Sequence, residues 1–185
     1  MPHINVDKNL PGIRSLLAFS PETAAPIGVL TNLLLRTNEG LSMAERELIA
    51  AHVSYLNDCF YCQQSHGAIA ACYLDNVDLV EQVTTNYTES AISDKLKALL
   101  SIAASVQRGG KFVTASQIEA AKGLGATDKD IHDTVLIAAA FCMYNRYVDG
   151  LAATTPTDLS SYTSRAQQIA EKGYGAHVYS NQQPT

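Results

Sequence analysis

Long hydrophobic runs are missing from this chain. Its most apolar stretch, Thr134 to Tyr144 (TVLIAAAFCMY), has about half of the ~20 residues a membrane-spanning helix needs, and it reads as a buried helix. A basic excess is missing too. Thirteen Lys+Arg stand against eighteen Asp+Glu, a net charge of −5 with no basic cluster, which argues against nucleic acid or an anionic membrane as a partner. Cysteine is scarce: Cys59, Cys62, Cys72 and Cys142 are too few to scaffold 185 residues with disulfides. The opening MPHINVDKNL has no basic segment followed by an apolar one, so no signal peptide is visible and a cytoplasmic protein is expected. No stretch alternates apolar and polar residues long enough for a confident strand.

What remains is helical. A hydrophobic fraction of 46% with 17% charged residues excludes a disordered or collagen-like chain. The length suits one domain over 1–185, with a core from about 10 to 172 and a loose tail over 174–185. Pro11–Phe19 and Pro21–Arg36 each open on proline, which a first helical turn tolerates. Ser42-Met43-Ala44-Glu45 is a capping box for a helix to about Tyr55. Asn57 and Asp58 can cap the next, from Cys59 to about Tyr73, and Asn76 a short one to about Thr85. Ser93–Arg108 carries Leu96, Leu99, Leu100 and Ala103 at helical spacing before Gly109-Gly110 stops it. Thr114 with Gln117, and Thr127 with Asp130, open two more, and Ser160–Lys172 is the last. The fold class is all-α.

The informative stretch is Glu47 to His66, ELIAAHVSYLNDCFYCQQSH. On a helix, Cys59, Cys62 and His66 are spaced by three and then four residues and share one face. The cysteines lie in the first turn, where free N–H groups and the helix dipole favour a thiolate. His66 can take a thiol proton, a cysteine–base pair of the nucleophilic type. Glu47 lies on the preceding helix, and a hairpin turning near Asn57 would bring its carboxylate back toward His66 to orient the ring or relay its proton.

Singly, each residue has an ordinary role. A Cys-x-x-Cys can be two small buried side chains, His66 a satisfied helix histidine, and Glu47 a solvated charge or a salt-bridge partner of Arg46. Arg146 and Asp149, three apart, are expected to pair with each other or with neighbouring helices, and Cys72 and Cys142 to be small core residues. Zinc is an alternative, because Cys59, Cys62 and His66 are three possible ligands. A fourth exists only among the singletons His52, Cys72, His132 and Cys142. Haem attachment would need histidine where Gln63 stands. A thioredoxin fold would need strands beside the cysteine pair. Phe19, Leu30, Leu33, Leu34 and Leu35 leave the N-terminal helices with apolar surface to bury, in the core or against a second subunit.

The spacing Glu47-x11-Cys59-x2-Cys62-x3-His66 resembles the core motif of the alkylhydroperoxidase D-like (AhpD-like) branch of the carboxymuconolactone decarboxylase superfamily. ERELIAAHVSYLNDCFYCQQSHGA is most similar to its peroxidase-related enzymes, and Tyr144-Asn145-Arg146-Tyr147-Val148-Asp149 resembles that group's last core helix. The resemblance implies a bundle of about seven to eight helices and a thiol-dependent peroxidase. Cys62 would be the peroxidatic cysteine, Cys59 the resolving one, and His66 with Glu47 the proton relay. It implies no haem, flavin or metal. A lipoyl-bearing or thioredoxin-like dithiol protein would be the reductant, and the assembly a dimer or trimer of dimers. The best-known members carry histidine immediately before the second cysteine, where this chain has Tyr61. The superfamily also holds decarboxylases without the cysteine pair, so the pair itself argues for redox chemistry. A thiol–disulfide oxidoreductase and a non-enzymatic redox-sensing module remain the alternatives.

Overall fold

The computed structural model describes residues 1–37 and 39–174. Among them lie nine α-helices and no strand: α1 (Ile13–Phe19), α2 (Pro21–Leu35), α3 (Met43–Leu56), α4 (Phe60–Leu74), α5 (Val77–Asn86), α6 (Asp94–Arg108), α7 (Ala115–Gly123), α8 (Asp128–Gly150) and α9 (Ser160–Lys172). Tyr87–Glu89 and Gly110–Phe112 are short 3₁₀ turns. The all-α expectation holds, but the count exceeds seven to eight. One reason is Pro21, which has no N–H to continue α1 and instead starts α2 at its first position.

Side-chain caps fix the starts. Ser42, Thr114 and Thr127 each form a capping box with Glu45, Gln117 and Asp130, while Asn76 and Ser93 accept from the third helical N–H. The centre of the bundle is α3, buried without interruption from Arg46 to Ser54. It packs on α4, α6 and α8, and Leu48, Ile49 and Val53 meet Leu99, Leu100, Ile102, Ile137 and Phe141 in the main core. Leu34 and Leu35 join that core, whereas Phe19, Val29 and Leu33 stay exposed.

The fully buried Arg46 is the core's one guanidinium among the described residues. It donates to the carbonyls of Leu34 (2.8 Å), Glu39 (2.6 Å) and Leu41 (3.0 Å), and to Asp133 Oδ2 at 2.7 Å. One side chain thereby ties the end of α2, the following loop and α8 to α3.

Two turns position the site. The chain leaves α3 in a Schellman motif: Asp58 is left-handed at φ 58°, its N–H donates to Tyr55 O (2.9 Å), and Cys59 N–H to Ser54 O (3.0 Å). Cys59 therefore closes α3 and caps α4 at once. Asn145 of α8 braces this turn, accepting from Asn57 Nδ2 (2.8 Å) and donating to Ser54 Oγ (3.0 Å). The second turn follows α9, where Gly173 at φ +80° swings the next residue inward. A Cβ there would stand 2.9 Å from Asn32 Oδ1, the same atom that accepts the Tyr174 N–H at 2.9 Å.

Candidate functional site

The antiparallel pairing of α3 and α4 brings Glu47 and His66 together. His66 Nδ1 lies 2.7 Å from Glu47 Oε2. Glu47 is fully buried, while the His66 side chain is 12% exposed, so the histidine is the half of the pair that reaches outward. In the tautomer whose Nδ1–H donates to the carboxylate, Nε2 carries the lone pair. Phe141 meets the imidazole edge-on at 4.5 Å and holds its plane.

Both cysteines are reduced and buried, and they approach to 3.2 Å. Their surroundings differ. Cys62, in the first turn of α4, lines a cavity of about 150 Å³ together with Tyr61, His66, Ile69, Phe141 and Tyr174. Cys59 is not part of that lining. A hydrogen bond with Cys62, burial and the neighbouring Cys62 and Asp149 side chains raise the Cys59 thiol above its ordinary value. Asp149 in turn is raised by burial, partly offset by its hydrogen bond with Cys59.

Three expectations need correction. Arg146 and Asp149 do not pair with each other, although Asp149 does reach a neighbouring helix. The Arg146 guanidinium donates to Cys142 O one turn back in its own helix (2.8 Å), and Asp149 faces Cys59 instead. Cys72 is exposed, because it lies two residues past buried Ala70, about 200° further round α4. Cys142 keeps the expected place against the main core, half-buried beside Asn57. Tyr174 does not belong to a loose tail: its hydroxyl donates to Glu47 Oε1 at 2.5 Å and lies 3.1 Å from His66 Nδ1. Its ring stacks on the imidazole at 5.8 Å. Burial and the Glu47 carboxylate hold the phenol protonated, which fixes it as the donor. The rest of the expected tail, 175–185, lies outside the described residues.

Tyr61, immediately before the second cysteine, packs rather than bonding to a thiol. Its ring lies 5.9 Å from that of Tyr162, and the backbone at Gly12 runs so close over it that a Cβ there would fall 2.1 Å from the ring. Of the possible fourth zinc ligands, His52 is engaged with Thr84 O (3.0 Å) and His132 with Asp133 (2.9 Å). Among the described residues no three His, Cys, Asp or Glu side chains are placed to hold a metal ion. No described helix is long and apolar enough to cross a membrane.

The carboxymuconolactone decarboxylase family profile matches residues 21–71 and 77–156, and the chain belongs to that family. Among solved structures it is similar to a peroxidase-related protein of Ralstonia eutropha JMP134, described as an alkylhydroperoxidase AhpD core. The two are 28% identical with a TM-score of 0.75, over 83% of this chain and 79% of the other. A peroxidase-related protein of Silicibacter sp. TM1040 is equally similar, at 28% identity and TM-score 0.75 over 83% and 78% of the two chains. A protein of unknown function from Agrobacterium tumefaciens shares the fold at 18% identity and TM-score 0.69, over 85% of this chain and 100% of that one. No curated protein matches the chain.

Proposed function

We propose that this protein is a thiol-dependent peroxidase that reduces organic hydroperoxides through a Cys59/Cys62 dithiol–disulfide cycle. The observation that carries the proposal is the asymmetry of the two cysteines. Cys62 lines a cavity shared with a histidine whose other nitrogen is bound to a buried carboxylate, whereas Cys59, 3.2 Å from it, lies outside that lining. Family membership alone is equally compatible with decarboxylation, which has no use for a cysteine pair.

His66 Nε2 takes the Cys62 proton while Glu47 stabilises the resulting imidazolium. The thiolate attacks the terminal oxygen of R–O–O–H. An S–O bond forms, the O–O bond breaks, and the alkoxide leaves with the proton held by His66. Sulfur is oxidised to the sulfenic acid and the peroxide is reduced to an alcohol. The Cys59 thiol then attacks the sulfenic sulfur, forming the disulfide and releasing water. An external dithiol, carried by a lipoyl-bearing or thioredoxin-like protein, returns both thiols and is itself oxidised to a disulfide. Exposed Phe19, Val29 and Leu33 support burial of this face in a homo-oligomer, a dimer or a trimer of dimers; a monodisperse monomer in light scattering would remove that part.

Steady reduction of cumene hydroperoxide with a supplied dithiol separates an enzyme from a redox-sensing module and from a plain thiol–disulfide oxidoreductase. The order of the cysteines is tested without turnover. Peroxide-treated Cys59→Ser should consume one equivalent and leave a trappable sulfenic acid on Cys62, while Cys62→Ser should consume almost none. Trapping on Cys59 instead would reverse the roles.

A further inference from the structure

The cavity beside Cys62 is apolar over most of its wall, yet two arginines stand in it. Arg14 comes from α1 and Arg165 from α9, and both are half-buried. Among the described residues no aspartate or glutamate lines the cavity. Among the described residues neither guanidinium comes within 4 Å of a carboxylate, although other cations do, such as Lys122 with Asp128 and Lys129 with Asp133. The chain has eighteen acidic residues and a net charge of −5, so unpaired arginines are not forced by composition.

Placing two like charges together in a half-buried site is unfavourable unless something of opposite sign joins them. Burial, and then the charge of Arg14, both lower the Arg165 pKa, and both guanidiniums act on the Tyr61 ring, the residue immediately before Cys62. Both guanidiniums therefore stand on the Tyr61 side of the same lining that holds Cys62. Glu47 does not answer this charge, since its two oxygens are taken by His66 and Tyr174.

Resting on the peroxidase reading, we propose that the preferred substrate is the hydroperoxide of a small apolar organic acid, with its body in the cavity and its carboxylate held by Arg14 and Arg165. A guanidinium is the side chain suited to this, because its planar fork matches a carboxylate in two parallel hydrogen bonds. The size limit follows from the volume. A cavity near 150 Å³ is filled by a body of about one benzene ring, so a long acyl chain would not be enclosed.

The test compares two substrates that differ only in the head. 4-Carboxycumene hydroperoxide should be reduced with a kcat/KM about 10- to 100-fold above that of cumene hydroperoxide, the gain expected of hydrogen bonds to a charged group. The preference should fall in Arg14→Gln and Arg165→Gln and approach unity when both are replaced, while Arg165→Lys retains part of it. A second measurement needs no turnover and no variant: calorimetry on the wild-type chain should show 4-isopropylbenzoate binding at least tenfold tighter than its neutral amide. Equal kcat/KM for the two peroxides together with equal binding of acid and amide would overturn the proposal and leave the peroxidase reading intact. If neither peroxide is reduced but the acid still binds in an arginine-dependent way, the anion site stands and the peroxidase reading falls.

Discussion

Arg46 and Glu47 are neighbours on α3, both fully buried and both bonded to side chains of other helices. One turn-step of about 100° sends them to different sides of the helix and to different fates. Every partner of Arg46 is fixed: three backbone carbonyls and Asp133. A guanidinium keeps its proton throughout the pH range of a folded protein, and none of its partners lines the cavity that holds Cys62. The partners of Glu47 are His66 and Tyr174, both titratable and both in the wall of the cavity that holds Cys62. A buried charge is thus no sign of chemistry by itself. What separates the two is whether its partners can exchange protons with a space a substrate can enter.

The sharpest way to break that contrast is to neutralise each side in turn. Glu47→Gln and His66→Ala should each slow peroxide reduction by about 10²–10⁴-fold, the usual worth of a positioned base. Asp133→Asn should leave the rate per folded molecule within about twofold, yet cost about 3–5 kcal/mol in urea unfolding, because it strands the Arg46 charge in the core. Should Asp133→Asn slow the folded enzyme a hundredfold, the two clusters would be one coupled unit.

The same acid sets a pH window. Burial alone would raise the Asp133 pKa, but hydrogen bonds from Lys129, His132 and Arg46 outweigh it and hold it down to about 2. A folded pKa below the ordinary carboxylate value contributes stability that is complete above about pH 4 and disappears as pH falls toward 2. Unfolding free energies measured across that range should drop in the wild type and drop less in Asp133→Asn.

Local and distant partners also differ in how legible they are from the amino-acid sequence. The caps at Ser42, Thr114 and Thr127 are local chemistry between residues three apart, so they are visible in sequence and return in the fold. The Glu47–His66 contact follows from a hairpin whose turn, at Asn57–Asp58, announces itself. Arg46–Asp133 is hidden because 87 residues separate the partners and nothing local marks either as buried. Asp149 misleads in part for a related reason: helical spacing offers Arg146 as one partner, but α8 points it at the start of α4, toward Cys59. Tyr174 is masked by the polarity of the segment around it. Its one signal is Gly173, a residue that can turn the chain after α9, but the target of that turn lies on α2 and α3.

Tyr174 supplies the finest test of the contrast, and the smallest expected effect. Tyr174→Phe removes one hydroxyl and keeps the ring that stacks on His66. Glu47 Oε1 then loses the donor it has at 2.5 Å, while Oε2 keeps His66 at 2.7 Å. The carboxylate can still hold the imidazole tautomer, but it is free to rotate away from the geometry two donors impose. Peroxide reduction should fall about 3- to 10-fold, well short of Glu47→Gln, since one hydrogen bond of roughly 1 kcal/mol net is at stake. A phenol that merely packed would change stability without changing the rate, so the decisive measurement is the double variant. If Tyr174 is a positioning residue acting through Glu47, Glu47→Gln/Tyr174→Phe should be no slower than Glu47→Gln alone, because groups in one relay do not contribute independently. Losses that multiply would mean that Tyr174 acts on His66 or on the cavity directly, through the 3.1 Å approach of its hydroxyl to Nδ1.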